Sequence, residues 1–257
     1  MSTHLGGIWS TFWIKNETVP ISECVHYCGF QYGRNQFNPY ENYVISVARG
    51  EIQLIARSRF EDFLQHYRPK SLGESLGISL SRFYPLWAFP WDASDGSPRL
   101  SGIDRGWMDS PADVPDIITH FSALGILRDR IEEEYGWLEN AYYSIRDCGY
   151  QPGRFAGHIQ VRKLVSSEHK CRYLVLDGNH RLSALVATGH TEVVVRYNTR
   201  QTVHGDERSR WPQVVDETFS LEDSEKIFDA YFAGNLRART TVDAAPILSD
   251  RTALCGQ

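Results

Sequence analysis

An apolar run, Tyr173-Leu174-Val175-Leu176, gives way within two positions, Asp177-Gly178, to a stretch whose Leu182, Leu185 and Val186 recur at helical spacing. A strand that hands over to a helix through so short a turn leaves few ways to fold the surrounding chain. Gly189 stands where that helix ends, and Glu192-Val193-Val194-Val195-Arg196-Tyr197 returns as a strand. Upstream, Ile159-Gln160-Val161-Arg162-Lys163-Leu164-Val165 alternates apolar and polar positions, the pattern of another strand. Before it, residues 128–146 carry Ile131, Tyr135, Leu138, Tyr142 and Ile145 at intervals of three or four, one buried stripe of a helix that Gly149 is placed to end.

The remaining chain is less periodic. Residues 1–45 are rich in aromatics and turn formers and read as short strands and loops laid on something else. Phe60, Phe63, Leu64 and Tyr67 have helical spacing that stops before Pro69. The segment Phe83-Tyr84-Pro85-Leu86-Trp87-Ala88-Phe89-Pro90-Trp91 suits a stiff extended stretch that either fills the core or lines a pocket. Residues 92–98 are a loop by composition, and Ser110 with Pro111 and Asp113 looks like a helix start. In the tail, Ser220-Leu221-Glu222-Asp223 opens an amphipathic helix through Ile227, Phe228, Tyr231 and Phe232. The chain beyond Gly234 turns polar and is expected to fray. These divisions give an N-terminal extension or cap at 1–110, a compact unit at 111–200 and a helical tail at 201–257.

Composition narrows the function classes. The 257 residues are 42% hydrophobic and 23% charged, ordinary for a globular protein, and contain no apolar stretch long enough to span a bilayer. The apolar run at 8–14 lacks a basic flank and is not read as a signal peptide, so a cytoplasmic protein is expected. A formal net charge of −5 argues against a chain whose main task is gripping nucleic acid. The 5 cysteines form no Cys-x-x-Cys pair and read as reduced thiols. Cys24 and Cys28 have a spacing that suits two zinc ligands, but no second pair follows, and no metal site is expected.

The turn Asp177-Gly178-Asn179-His180-Arg181 carries the chemistry. Backbone N–H groups at a helix N-terminus point outward, the helix dipole adds partial positive charge, and Gly178 allows close approach to the backbone. His180 and Arg181 add donors, the latter as a fork that matches phosphate oxygens. An aspartate beside such an anion site has a use if it binds a metal, orients a hydroxyl or takes its proton. The alternative is that Asp177 caps the helix and Arg181 pairs with a surface carboxylate.

From Leu138 onward, the order Ser144-Ile145-Arg146, Gly149-Tyr150-Gln151-Pro152, the strand at 159–165, the strand at 172–176 and Gly178, Arg181 and Ala184 in Gly-x-x-Arg-x-x-Ala resembles the ParB/sulfiredoxin superfamily. The resemblance covers roughly residues 120–198. It implies an α+β fold: a small mixed-sheet domain with an N-terminal α/β extension and a C-terminal helix. Sulfiredoxins carry a nucleophilic cysteine where this chain has Asn179, which argues against sulfinic-acid reduction. Chromosome-partitioning members bind CTP and continue into a DNA-binding domain, whereas the tail here is short and not basic. Free serine kinases of the superfamily carry Asp-Gly-His-His-Arg, from which residues 177–181 differ only at Asn179.

That last branch implies a nucleotide-dependent phosphotransferase acting on a hydroxyl of a small molecule such as an amino acid or sugar. The candidate catalytic set is Asp177, His180 and Glu133, the last standing for the upstream glutamate sought within Glu132-Glu133-Glu134. Gly178, Asn179, His180 and Arg181 are the candidate phosphate-binding set, with ATP or ADP, or else CTP, and Mg²⁺ as cofactors. Trp87, Trp91, Arg154 and His158 are candidates for the acceptor pocket. The rival expectations are a non-catalytic nucleotide-binding switch and, less favoured by the charge, a ParB-like nuclease or DNA-binding protein.

Overall fold

Alternating burial sorts the strands that follow residue 158 between two cores. The computed structural model describes residues 13–33, 38–51, 57, 59–61, 63, 67, 69, 71–86, 88–93, 124–154 and 157–233, with side chains in the long central helix described from 131 onward. In chain order the elements are β1 (Ile14–Pro20), β2 (Cys24–Val25), α1 (Pro39–Ala48), α2 (Leu72–Leu76), α3 (Leu124–Cys148), β3 (Ile159–Val165), β4 (Cys171–Asp177), α4 (Asn179–Ala187), β5 (Glu192–Asn198), β6 (Val203–His204), α5 (Pro212–Val215) and α6 (Leu221–Ala233). Among the described residues the strands form one 6-stranded sheet in the order β1-β5-β3-β4-β2, with β6 beside the end of β3. β1 is antiparallel to β5 and β3 antiparallel to β4, while β3 runs parallel to β5 and β2 parallel to β4. This is an α+β fold with a mixed sheet.

On one face Ile159, Val161, Tyr173, Val175, Val193 and Val195 pack with Tyr43 of α1, Leu138 of α3 and Leu182 of α4. On the other, Leu164 and Leu174 meet Leu72 of α2, Trp91, and Phe228 and Tyr231 of α6. Period-two alternation along β3 and β4 therefore serves two layers of helices. The stripe Ile131, Tyr135, Leu138, Tyr142 and Ile145 of α3 is buried throughout. That helix starts at Leu124 rather than near 128, and it ends where Gly149, at φ 72°, returns its N–H to the Ile145 carbonyl. α4 closes the same way: Gly189 N–H bonds the Val186 carbonyl, and His190 N–H bonds the Leu185 carbonyl.

The N-terminal extension is woven into this sheet instead of capping it. β1 is a charged edge strand that stops at Pro20, which has no N–H for a ladder. Its Glu17 accepts from the hydroxyls of Tyr197 (2.5 Å) and Tyr173 (3.0 Å). Burial works to raise the Glu17 pKa, but Tyr197, Lys15, Tyr173 and Lys163 hold it down at about 2. The division at 110 is thus no boundary in the sheet, because β1 and β2 pair with strands of the 111–200 stretch.

The tail is tied in as well. Ser220 Oγ accepts from the Asp223 N–H at the start of α6, and the buried Asp223 carboxylate reaches across to Ser81 N–H (2.9 Å), Ser81 Oγ (2.6 Å) and Tyr84 OH (2.8 Å). Trp91 lies in the second core, edge-on to Trp211 at 5.3 Å, which corrects its assignment to an acceptor pocket. Its large ring buries most favourably among other aromatics there. Trp87, the expected helix start at 110–113 and the tail beyond Gly234 lie outside the described residues. Among the described residues no helix is long and apolar enough to cross a membrane.

Candidate functional site

Gly178 sets the geometry. It is the N-cap of α4 in the left-handed region (φ 98°, ψ 22°), and no side chain caps the helix. Asp177, at the end of β4, does not turn back to serve as the cap. A Cβ on Gly178 would lie 2.9 Å from Ile159 Cγ1 and 3.0 Å from Arg181 Nη2, so the close packing of turn against β3 also requires glycine. The first turn of α4 therefore presents its N–H groups at the base of a cleft of about 450 Å³.

Three walls define the cleft. The base is Asp177, Gly178, Asn179, His180 and Arg181. One side is α3 and its exit, with Glu134, Trp137, Asn140 and Ser144 followed by Tyr150 and Gln151. The other is His26, Tyr27 and Tyr40, from the loop after β2 and the first turn of α1. Tyr150 is fixed by accepting the Ile159 N–H at 3.1 Å. α1 is anchored by Asn38, whose Oδ1 accepts from the N–H groups of Tyr40 and Glu41.

Two hydrogen-bonded side-chain pairs face this space. Arg181 Nη2 donates to Asp177 Oδ2 at 3.0 Å, and its Nη1 donates to the Gly157 carbonyl. His180 Nε2 lies 2.9 Å from Glu134 Oε2. Both carboxylates are largely withdrawn from solvent, Asp177 at 8% exposure and Glu134 at 1%. Asn179, at the position that separates this turn from Asp-Gly-His-His-Arg, is held by Tyr32, whose hydroxyl donates to Asn179 Oδ1 at 2.7 Å.

Of the residues singled out in the sequence, the fold brings Asp177, Gly178, Asn179, His180 and Arg181 together in the cleft. Glu133 is exposed, and the glutamate that faces His180 is its neighbour Glu134. The correction is one of helical phase: successive residues point about 100° apart, so only one of the triplet can face α4. Glu132 bonds Arg57 on the surface. Since α3 begins at Leu124, the triplet also lies beyond the first turn, outside the reach of the helix dipole. Arg154 is exposed and stands outside the cleft lining. His158 is half-buried and also outside it; partial burial and the charges of Arg196 and Arg181 lower its pKa.

His26, Tyr27, Tyr40, Trp137 and Tyr150 escaped the sequence reading. Trp137, Asn140 and Ser144 recur at helical spacing beside the buried stripe of α3, on an exposed face that lines the cleft. Nothing periodic marks His26. Among the described residues no three His, Cys, Asp or Glu side chains converge as a metal cage.

The fold and cleft define a class: an α+β protein with a mixed sheet and an uncapped, glycine-started helix at the base of a cleft that holds two carboxylates. No known protein family, curated protein or solved structure matches the chain.

Proposed function

We propose that this chain is a nucleotide-dependent phosphotransferase that phosphorylates a hydroxyl of a small molecule, working where nucleotides are plentiful, in the cytoplasm. The observation that carries the reading is the α4 N-terminus, uncapped and started by a left-handed Gly178, at the base of a cleft that also holds Asp177 and Glu134. The resemblance of residues 177–181 to the kinase branch of the ParB/sulfiredoxin superfamily supports it. Phosphoryl transfer asks a protein for positioning and charge neutralisation, and helix N–H groups with an arginine fork provide both.

In this reading the N–H groups of α4 and Arg181 hold the phosphates of ATP, ADP or CTP. Mg²⁺ brought in with the nucleotide would supply charge neutralisation beside Asp177. The acceptor oxygen attacks the terminal phosphorus, the bond to the bridging oxygen breaks, and the acceptor proton passes to Asp177. Glu134 orients His180 beside the incoming hydroxyl. Titration calorimetry with each nucleotide and Mg²⁺, followed by a screen of hydroxylated acceptors for phosphorylated product, tests the proposal. Asp177→Asn is expected to keep nucleotide affinity while turnover falls roughly 100- to 10,000-fold. Full turnover in that variant would remove Asp177 from the chemistry.

One observation favours a second reading. Arg181 is already bonded to Asp177 and to the Gly157 carbonyl, so a phosphate that recruits it must compete with the loop before β3. A switch that holds a nucleotide and moves that loop would show binding without product.

A further inference from the structure

His26 is 2% exposed and sits in an aromatic cage, with ring centroids of Tyr27 at 4.0 Å, Phe30 at 5.3 Å and Tyr40 at 5.4 Å. Its Nδ1 accepts the Cys28 N–H at 3.1 Å. A neutral imidazole that accepts at Nδ1 carries its proton on Nε2. Burial, with His180 nearby, pushes the His26 pKa down to about 3, so the ring stays neutral across the physiological range. Nε2 has no hydrogen-bonding partner among the described residues. His26 lines the cleft.

Asn179 shows the same asymmetry. Its Oδ1 accepts from the Tyr32 hydroxyl, which fixes the amide and leaves Nδ2 with no hydrogen-bonding partner among the described residues. It too lines the cleft. Two side chains far apart in the chain are thus held by protein contacts so that each offers an N–H.

We infer that His26 Nε2–H and Asn179 Nδ2–H form a neutral donor pair that recognises an oxyanion bound in the cleft. This goes beyond the proposed phosphate cradle of α4 and rests on that reading only for the identity of the ligand. The oxyanion is either the terminal phosphate of the nucleotide or a carboxylate on the acceptor; both present the same oxygen lone pairs. The pair rejects ammonium groups, because neither nitrogen can accept.

The test follows ring and amide nitrogens of the full-length protein by NMR while Mg·ATP, glycerate or inorganic phosphate is added. Before any ligand, the ¹⁵N pattern of His26 is expected to be that of the Nε2–H tautomer, unchanged between pH 5 and pH 8; the Nδ1–H tautomer or titration in that range would overturn the inference. A shift of His26 Nε2 and Asn179 Nδ2 with Mg·ATP or inorganic phosphate assigns the pair to phosphate, and a shift with glycerate alone assigns it to an acceptor carboxylate. Shifts of the α4 amides with Mg·ATP while both side chains stay silent to all three ligands leave the nucleotide reading standing and overturn the donor pair. A response of the pair to glycerate or phosphate with no response anywhere to Mg·ATP upholds the pair and removes the nucleotide. Silence throughout removes both.

His26→Phe, which keeps the aromatic packing and loses the donor, is expected to weaken the responding ligand roughly ten- to a hundredfold. His26→Gln, whose amide can reach the same place, should restore most of the affinity. Thermal melts screen both variants for folding, and if either fails to fold, the resonance shifts of the unmodified protein decide.

Discussion

Gly178 meets two demands that no other residue can meet together: a φ of 98° and a Cβ position already occupied by Ile159 and Arg181. Gly178→Ala is therefore expected to destabilise the fold by about 2–4 kcal/mol, the sum of a left-handed backbone and an overpacked contact, readable in a denaturant titration. A loss under about 0.5 kcal/mol, the level of an ordinary surface change, would mean that the turn relaxes away from β3. At Glu134 and Glu133 the contrast is of position and not of chemistry. Under the proposed phosphotransfer, Glu134→Gln, which replaces the partner of His180 with an amide, should cut turnover by about tenfold or more, whereas exposed Glu133→Gln should leave it within about twofold. Equal effects would place the active carboxylate elsewhere.

At the scale of elements, α1 brings an ionisable group into the core. Glu41 is 1% exposed and accepts the Gly33 N–H at 2.7 Å; burial raises its pKa to about 8, and that hydrogen bond only partly offsets the rise. A carboxyl that holds its proton more tightly when folded stabilises the fold fully below its unfolded value of 4.5 and loses that contribution as pH rises through about 8. Melting temperature should accordingly decline between pH 5 and pH 8.5, and Glu41→Gln should flatten that decline. An unchanged slope in the variant would assign the effect to another group. Through Gly33 and its neighbour Tyr32, which holds Asn179, this helix is also coupled to the base of the cleft.

For the whole molecule, the sheet decides what can fold alone. β5 lies between β1 and β3, and α4 is covered by both α1 and α3. A fragment of residues 111–200 would expose the β5 edge now paired with β1 and strip Tyr40, Tyr43 and Val44 from the core. It is expected to show no cooperative thermal transition, while the chain from 13 to 233 retains one. A cooperative melt of the short fragment would show that the N-terminal strands are an addition to a self-sufficient unit. The far face makes the same argument, since Asp223 of α6 pins Ser81 and Tyr84 beneath β4.

Much of the central framework was legible in the residues. The strand at 159–165 coincides with β3, and the stripe from Ile131 to Ile145 faces the core, because periodicity records which side of one element is buried. The glycine turn from β4 into α4 was legible for the same reason: its conformation is determined by residues adjacent in the chain. What neighbours alone do not specify was left to tertiary structure. Periodicity did not separate Glu134 from Glu133, because the phase of α3 against α4 depends on how the two helices pack. Nor did it bring His26 to a cleft built around His180, since that contact needs β2 to pair with β4. The sequence by itself determined the elements and the glycine turn through local backbone preference; the packing of distant segments decided which side chains surround that turn.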